Sequence, residues 1–130
     1  MTPRLVESWF NKLPPAEQDL PLLVVDGAAY SPRAALQEVR RGTELGRRLQ
    51  ALIESGSFGT PIEQEEELAK IRLKQILQTM PEKPTFATLQ LPGREYTPQQ
   101  IAEEIQRGTN VGRQWIRAEL AQMRYIIRVR

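Results

Sequence analysis

The sequence contains no cysteine and no histidine among its 130 residues. The absence of cysteine excludes disulfide bonds, thiol nucleophiles and thiolate metal sites, and it fits a reducing compartment. The absence of histidine removes the most common general base, the usual pH switch and the most common metal ligand. Ser31 and Ser57 have no histidine or lysine nearby in sequence that would activate them. We therefore expect no catalytic residues, no bound metal and no cofactor.

Long apolar runs are also missing. No stretch approaches the ~20 apolar residues of a transmembrane helix, and the N-terminal residues MTPRLVESWF lack the apolar run of a secretory signal. The 18 basic residues are nearly balanced by 16 acidic ones, so the net charge of +2 is no general argument for a nucleic-acid or membrane partner. With 40% hydrophobic and 26% charged residues, the composition is that of a globular protein. These features predict a cytoplasmic protein without a membrane partner.

What the sequence does contain is an internal repeat. Residues 26–54 align without a gap to residues 92–120, at a constant shift of 66, and nine of the 29 pairs are identical. The identical pairs are Gly27/Gly93, Tyr30/Tyr96, Pro32/Pro98, Glu38/Glu104, Arg41/Arg107, Gly42/Gly108, Thr43/Thr109, Gly46/Gly112 and Arg47/Arg113. Self-similarity of this kind defines the structural unit. It predicts a first repeat over residues 1–58 and a second over 59–130, joined at the short linker 55–59 into one compact domain.

Four Ser/Thr-Pro pairs predict helix starts, because the hydroxyl can accept from free backbone N–H groups and proline suits the first helical position. The pairs are Thr2-Pro3, Ser31-Pro32, Thr60-Pro61 and Thr97-Pro98. Thr60…Glu63 and Thr97…Gln100 have the spacing of a capping box. The helix predicted over 61–79 has an apolar stripe that includes Leu73, Ile76, Leu77 and Met80. Its first turns are acidic and basic residues follow, an order that suits the helix dipole. The acidic start is interpreted as a solvent-exposed helix end, with an acidic binding face as the alternative.

Each repeat also contains a short extended run followed by turn-forming residues. Leu22–Val25 precedes Asp26-Gly27, and Thr88–Leu91 precedes Pro92-Gly93, which predicts two small hairpins. A glycine-threonine corner then separates two helices in each repeat. The predicted fold is therefore α+β and mostly helical, with two pseudo-symmetric copies of a helix–hairpin–helix–corner–helix unit sharing one core. The final residues YIIRVR fit either a strand or a continued helix.

The motif RGTxxGR occurs at both corners, over 41–47 and 107–113. A helix N-terminus with free N–H groups and a following arginine could bind an anion, which makes Arg47 and Arg113 candidate contacts. The alternative is architectural and is favoured here. In that interpretation the glycines permit a left-handed corner and a close backbone approach, and the arginines pair with Glu38 and Glu104 or cover apolar surface.

Arg113, Arg117, Arg124 and Arg128 fall within about 60° of one another on a continuous helix. A basic helix after a tight corner resembles the recognition helix of a helix-turn-helix protein over residues 97–130, and YIIRVR would then contribute to a wing. The spacing departs from that motif, since Ala102 stands six residues before Gly108 instead of four. Because of the arginines, nucleic acid is the alternative partner, and these four residues are the candidate contacts.

Trp9 and Phe10 are interpreted as core residues, or as exposed anchors for a docked protein. Together these features favour a non-catalytic protein-interaction or assembly module, acting as an adaptor, as a subunit of a larger complex or by self-association. The alternative is a nucleic-acid-binding regulator that uses the arginine-rich last helix.

Overall fold

The computed structural model describes residues 4–80, 86–87 and 94–130. Within them the chain is mostly helical with two short antiparallel hairpins, which confirms the α+β prediction. The helices are α1 (Arg4–Lys12), α2 (Pro15–Gln18), α3 (Pro32–Arg41), α4 (Glu44–Ser55), α5 (Glu65–Thr79), α6 (Pro98–Arg107) and α7 (Asn110–Ile127). The strands are β1 (Leu23–Val25), β2 (Ala28–Tyr30), β3 (Phe86–Ala87) and β4 (Glu95–Tyr96), and a 3-10 turn (Ile62–Gln64) precedes α5.

Two of the four Ser/Thr-Pro pairs start helices with side-chain caps, as predicted. The Ser31 hydroxyl accepts from the backbone N–H of Ala34 at the start of α3. Thr97 and Gln100 form a reciprocal capping box at the start of α6. The capping box predicted at Thr60 is wrong, because that hydroxyl donates to the side chain of Gln64 (3.3 Å) and α5 has no side-chain cap. The Thr2-Pro3 pair lies outside the described residues.

The first hairpin forms around the predicted turn. Leu23 lies opposite Tyr30, and Asp26 and Gly27 make the reversal with positive φ angles of 51° and 78°. In the second hairpin Phe86 lies opposite Tyr96. The strand predicted over Thr88–Leu91 and the turn at Pro92-Gly93 fall outside the described residues.

The short helix α2 lies directly after α1. The Pro14-Pro15 pair follows the end of α1, and Pro15 occupies the first turn of α2. The last helix, α7, continues to Ile127. The first three residues of YIIRVR are therefore helical, and the prediction that this segment contributes to a wing is wrong.

A hydrophobic core includes residues from both the first segment (residues 4–58) and the second segment (residues 59–130). Its fully buried side chains include Val6, Trp9, Leu49, Ile53, Ile101, Met123 and Ile126. The indole N–H of Trp9 donates to the carbonyl oxygen of Ile126 (2.8 Å), which joins α1 to the end of α7. Among the described helices, none is long and apolar enough to cross a bilayer.

A buried ionic cluster joins α2, α5 and α7. The Arg72 side chain is 0% exposed, donates through Nε to Glu119 (2.7 Å) and also binds the carboxylate of Glu17. A further N–H donates to the carbonyl oxygen of Pro21 (3.1 Å). The burial of Arg72 was not predicted from the sequence. The position completes the apolar stripe of the helix, and the guanidinium is retained there because three acceptors replace its water.

Candidate binding surfaces

The two glycine-threonine corners have the same geometry. Gly42 and Gly108 both adopt a φ of 67°, in the left-handed region, and end α3 and α6. Thr43 and Thr109 then cap α4 and α7, because their hydroxyl oxygens accept from the backbone N–H groups of Gly46 and Gly112. These contacts agree with the architectural interpretation of the repeated motif.

The second glycine of each corner permits a close backbone approach. A Cβ atom on Gly46 would lie 2.3 Å from the carbonyl oxygen of Glu38, and one on Gly112 would lie 2.2 Å from that of Glu104. Neither contact is compatible with a side chain, so the helices on either side of each corner cross closely only because these residues are glycine. This part of the architectural prediction is confirmed.

The first corner already holds a negative charge of its own. The Glu38 carboxylate accepts from the Thr43 hydroxyl (2.8 Å) and from Arg41 (3.1 Å), at the start of α4. The side chain of Arg47 is exposed and forms no hydrogen bond or ion pair with the described residues. An anion at this corner would meet the Glu38 carboxylate, so the geometry favours a structural role.

The second corner differs in its polar contacts. Arg113 donates to the side chain of Asn110 (3.2 Å). Arg107 lies 3.9 Å from the Glu104 carboxylate, and the buried Oε2 atom of Glu104 has no hydrogen-bond partner in the described structure. The hydroxyl of Tyr96 is also buried and has no hydrogen-bond partner among the described residues. The second corner is therefore less completely hydrogen-bonded than the first.

The pKa shifts that the structure resolves belong to exposed ion pairs elsewhere. Hydrogen bonding to Arg48 lowers the pKa of the Asp26 carboxyl at the first hairpin turn, and the same pair raises the pKa of Arg48. A hydrogen bond from Arg33 to Asp19 likewise raises the pKa of Arg33. Ordinary surface pairing explains these shifts, so they do not indicate a reactive group.

The predicted arginine stripe lies on one exposed side of α7. Arg113, Arg117, Arg124 and Arg128 are all exposed; the helix is continuous through the first three, and Arg128 is its C-cap residue. Arg124 lies 3.5 Å from Glu65 of α5. The one carboxylate in the sequence of α7, Glu119, is buried against Arg72, so the exposed side of the helix is purely basic in its charged residues.

Trp9 and Phe10 are not available as docking anchors. Trp9 is 0% exposed and Phe10 is 8% exposed, and both lie in the core. The predicted docking role is therefore wrong and their alternative assignment to the core is confirmed. Their apolar surface is already covered by this chain, since α1 packs against α3 and α4 and contacts the end of α7 through Trp9.

An open groove runs between α5 and α6. Two adjoining cavities of about 370 and 320 Å³ share Lys74, Leu77 and Ala102 as lining residues. Beyond these shared residues, the groove is lined by Lys70, Ile105 and Gln106 at one end and by Gln78, Met80, Pro98 and Gln99 at the other. Its floor is apolar and its rim is polar, which is the usual construction of a recognition groove.

The corresponding positions of the first segment are closed. At a shift of 66 residues, buried Leu36 occupies the position of Ala102. Arg40, the counterpart of Gln106, reaches across to Glu7 of α1 (3.0 Å). Phe10 of α1 is buried beside this helix pair, with Arg33 of α3 stacked on its ring at 5.4 Å. Between α1 and α3, the larger Leu36 side chain and the ion pair therefore cover the surface that corresponds to the groove. Between α5 and α6 this surface is open.

Comparison with protein-family models, curated proteins and solved structures gave no match. The described residues contain no group of three or more carboxylates placed to hold a metal ion.

The structure brings together some of the predicted contact residues and separates others. The α7 arginines share a surface, whereas Arg47 lies on α4, in the other segment. The α5–α6 groove was not predicted from the sequence. The available signal was the pair Leu36/Ala102, where the aligned copies exchange a large apolar side chain for a small one.

Proposed function

We propose that this chain is a non-catalytic protein-interaction module that acts in the cytoplasm, as an adaptor or as a subunit of a larger complex. The observation that carries this proposal is the open groove between α5 and α6, with Leu77 and Ile105 in an apolar floor. Grooves between helices with this construction are used to hold a segment of another protein. The lack of cysteine and histidine supports a binding role and a reducing compartment.

The proposal includes an origin by internal duplication, with two pseudo-symmetric copies that share one core. Equal φ angles at Gly42 and Gly108, equivalent threonine caps and equivalent close approaches at Gly46 and Gly112 support it. The buried cluster around Arg72 joins elements of both segments. In this scheme the first copy closes its helix pair and contributes stability, while the second leaves its helix pair open for a partner.

The proposed function is tested with affinity-tagged protein in two measurements. Light scattering on a sizing column gives the oligomeric state, and quantitative mass spectrometry after pull-down gives the stoichiometry of any recovered protein. We expect one partner at a fixed ratio, or a stable oligomer. A monomer that recovers no protein at a fixed ratio would refute the interaction module.

Nucleic-acid binding is the second candidate, because α7 carries three exposed arginines and no exposed carboxylate, and Arg128 adds a fourth exposed arginine at its C-cap. Contacts of this kind release counterions, so binding should weaken steeply as salt rises. A mobility-shift titration with duplex DNA and with RNA should then show binding that is lost on Arg113→Glu with Arg117→Glu. Absence of a shift at low salt would remove this candidate.

A further inference from the structure

We propose that the groove between α5 and α6 binds an acidic amphipathic helix of a partner protein. This inference rests on the proposed function and adds the chemistry and shape of the bound segment. Three properties of the groove support it, namely its length, its charge and its relation to the closed helix pair of the first segment.

The length of the groove fits a short helix. Its lining extends along α5 from Lys70 to Met80, which is about 15 Å at 1.5 Å per helical residue. Residues of α6 line it in the opposite order, with Gln106 at the Lys70 end and Pro98 at the Met80 end. The two helices therefore run antiparallel and form the two sides of the groove over about three helical turns. An amphipathic helix presents apolar side chains at i, i+3 or i+4 and i+7 over that length.

The charge of the rim selects an acidic partner. Lys70 and Lys74 lie on the α5 side, glutamines line both sides, and none of the described residues that line the groove is acidic. Lys74 is exposed and has no ion pair with any described residue. Lys70 pairs with Glu67 of its own helix (3.3 Å). A partner with carboxylates beside its apolar stripe would complement these amines, whereas a basic helix would be repelled.

The closed first segment indicates what the open groove lacks. There, buried Leu36 occupies the position of Ala102, and the ion pair between Arg40 and Glu7 covers the helix pair. The second segment has neither the large side chain nor the arginine, since Gln106 replaces it. An incoming apolar side chain would occupy the space above Ala102. The apolar floor disfavours nucleic acid, whose phosphates require hydrogen-bond donors.

The experiment is a selection of 16-residue peptides from a random display library on the full chain, followed by anisotropy titration of the enriched peptides. We expect net negative sequences with apolar residues at helical spacing. Ala102→Leu should weaken their binding at least tenfold by filling the groove, and Lys74→Glu should weaken it several-fold. The matched controls are Ala118→Leu, at an exposed position of α7, and Lys12→Glu, at an exposed position of α1. Both should leave peptide binding unchanged.

Ala102→Leu should melt at or above the temperature of the unaltered chain, because it copies the packing of Leu36. If it fails to fold, the surface variant Lys74→Glu decides the test. The inference would be overturned by enrichment of basic peptides or by no enrichment. It would also be overturned if Ala102→Leu and Lys74→Glu both bound the peptides as tightly as the unaltered chain does. A dimer of this chain that Ala102→Leu dissociates, in place of peptide binding, would assign the groove to self-association and also overturn it.

The two proposals can fail separately. If pull-down recovers a partner at a fixed ratio and that partner still binds Ala102→Leu and Lys74→Glu, the groove inference is wrong while the interaction module stands. If neither a partner nor an oligomer is found and the peptide selection also fails, both are wrong.

Discussion

Removal of the buried guanidinium at Arg72 should destabilise the protein severely. The side chain is 0% exposed, and the carboxylates of Glu17 and Glu119 that it pairs with each expose only 10% of their side-chain surface. Arg72→Met keeps much of the volume but leaves two negative charges in the interior. Breaking a buried pair in this way costs about 3–5 kcal/mol, and the second stranded carboxylate places the cost in the upper part of that range.

Urea unfolding followed by circular dichroism measures this loss. With a slope of about 2 kcal/mol per molar urea, a loss of 4 kcal/mol lowers the midpoint by about 2 M. A domain has about 5–15 kcal/mol in total, so the variant should remain folded in water. A thermal melt at one protein concentration provides an independent check.

Two comparison variants separate the stranded charges from general damage. Replacing the whole cluster by Arg72→Met, Glu17→Leu and Glu119→Leu removes every buried charge and should recover most of the lost stability. Arg40→Met breaks an exposed pair with Glu7 and should cost less than about 1 kcal/mol. If Arg72→Met costs no more than Arg40→Met, or if the triple variant is less stable than Arg72→Met, the reasoning about buried charge is refuted.

Three further outcomes follow from local geometry. Gly46→Ala should lower the free energy of unfolding by about 3 kcal/mol, because its methyl group would lie 2.3 Å from a backbone carbonyl oxygen of α3. Gly42→Ala should lower it by only about 1 kcal/mol, because position 42 has free space for a methyl group but a φ of 67°. Urea unfolding with the opposite ranking would contradict the close approach. Tyr96→Phe should increase the free energy of unfolding by up to about 1 kcal/mol, since it removes a buried hydroxyl that has no hydrogen-bond partner among the described residues. A decrease would show that the hydroxyl is hydrogen-bonded in solution. In an NMR titration the pKa of Asp26 should lie below its usual range and rise on Arg48→Gln. Because the folded pKa is lowered, the pair stabilises the fold above about pH 4 and loses that contribution as the pH falls through the folded pKa; an unchanged pKa in the variant would contradict the pairing.

Features determined by local chemistry could be predicted from the sequence. The turn at Asp26-Gly27 and the corners at Gly42 and Gly108 require φ angles that few residues adopt, so the residue type alone indicates the geometry. The capping pattern at Thr60 failed because its spacing does not determine the chain direction before the helix. Pro61 is extended there, with φ −58° and ψ 150°, and a single 3-10 turn follows.

Features determined by packing could not be predicted in the same way. Arg72 stands at a position of α5 where helical periodicity requires a buried residue, and Glu119 does the same in α7. Periodicity can mark such residues as unusual, but the partner Glu17 is 55 residues away in sequence. The α5–α6 groove likewise depends on side chains that two different helices contribute. The alanine at position 102 indicates only that a small side chain stands there, and it does not show whether a neighbouring side chain fills the remaining space.

The hydrogen bond between Trp9 and Ile126 also provides an optical probe of cooperativity. The chain has two tryptophans, one in each segment. Trp9 is fully buried, whereas Trp115 is half-buried and meets the ring of Phe86 edge-on at 5.0 Å. Single-tryptophan variants, Trp9→Phe and Trp115→Phe, would therefore emit from different environments. Because the Trp9 indole is bonded to the far end of α7, its emission cannot stay native once that helix has detached, and fluorescence from either segment should follow the same unfolding curve as circular dichroism.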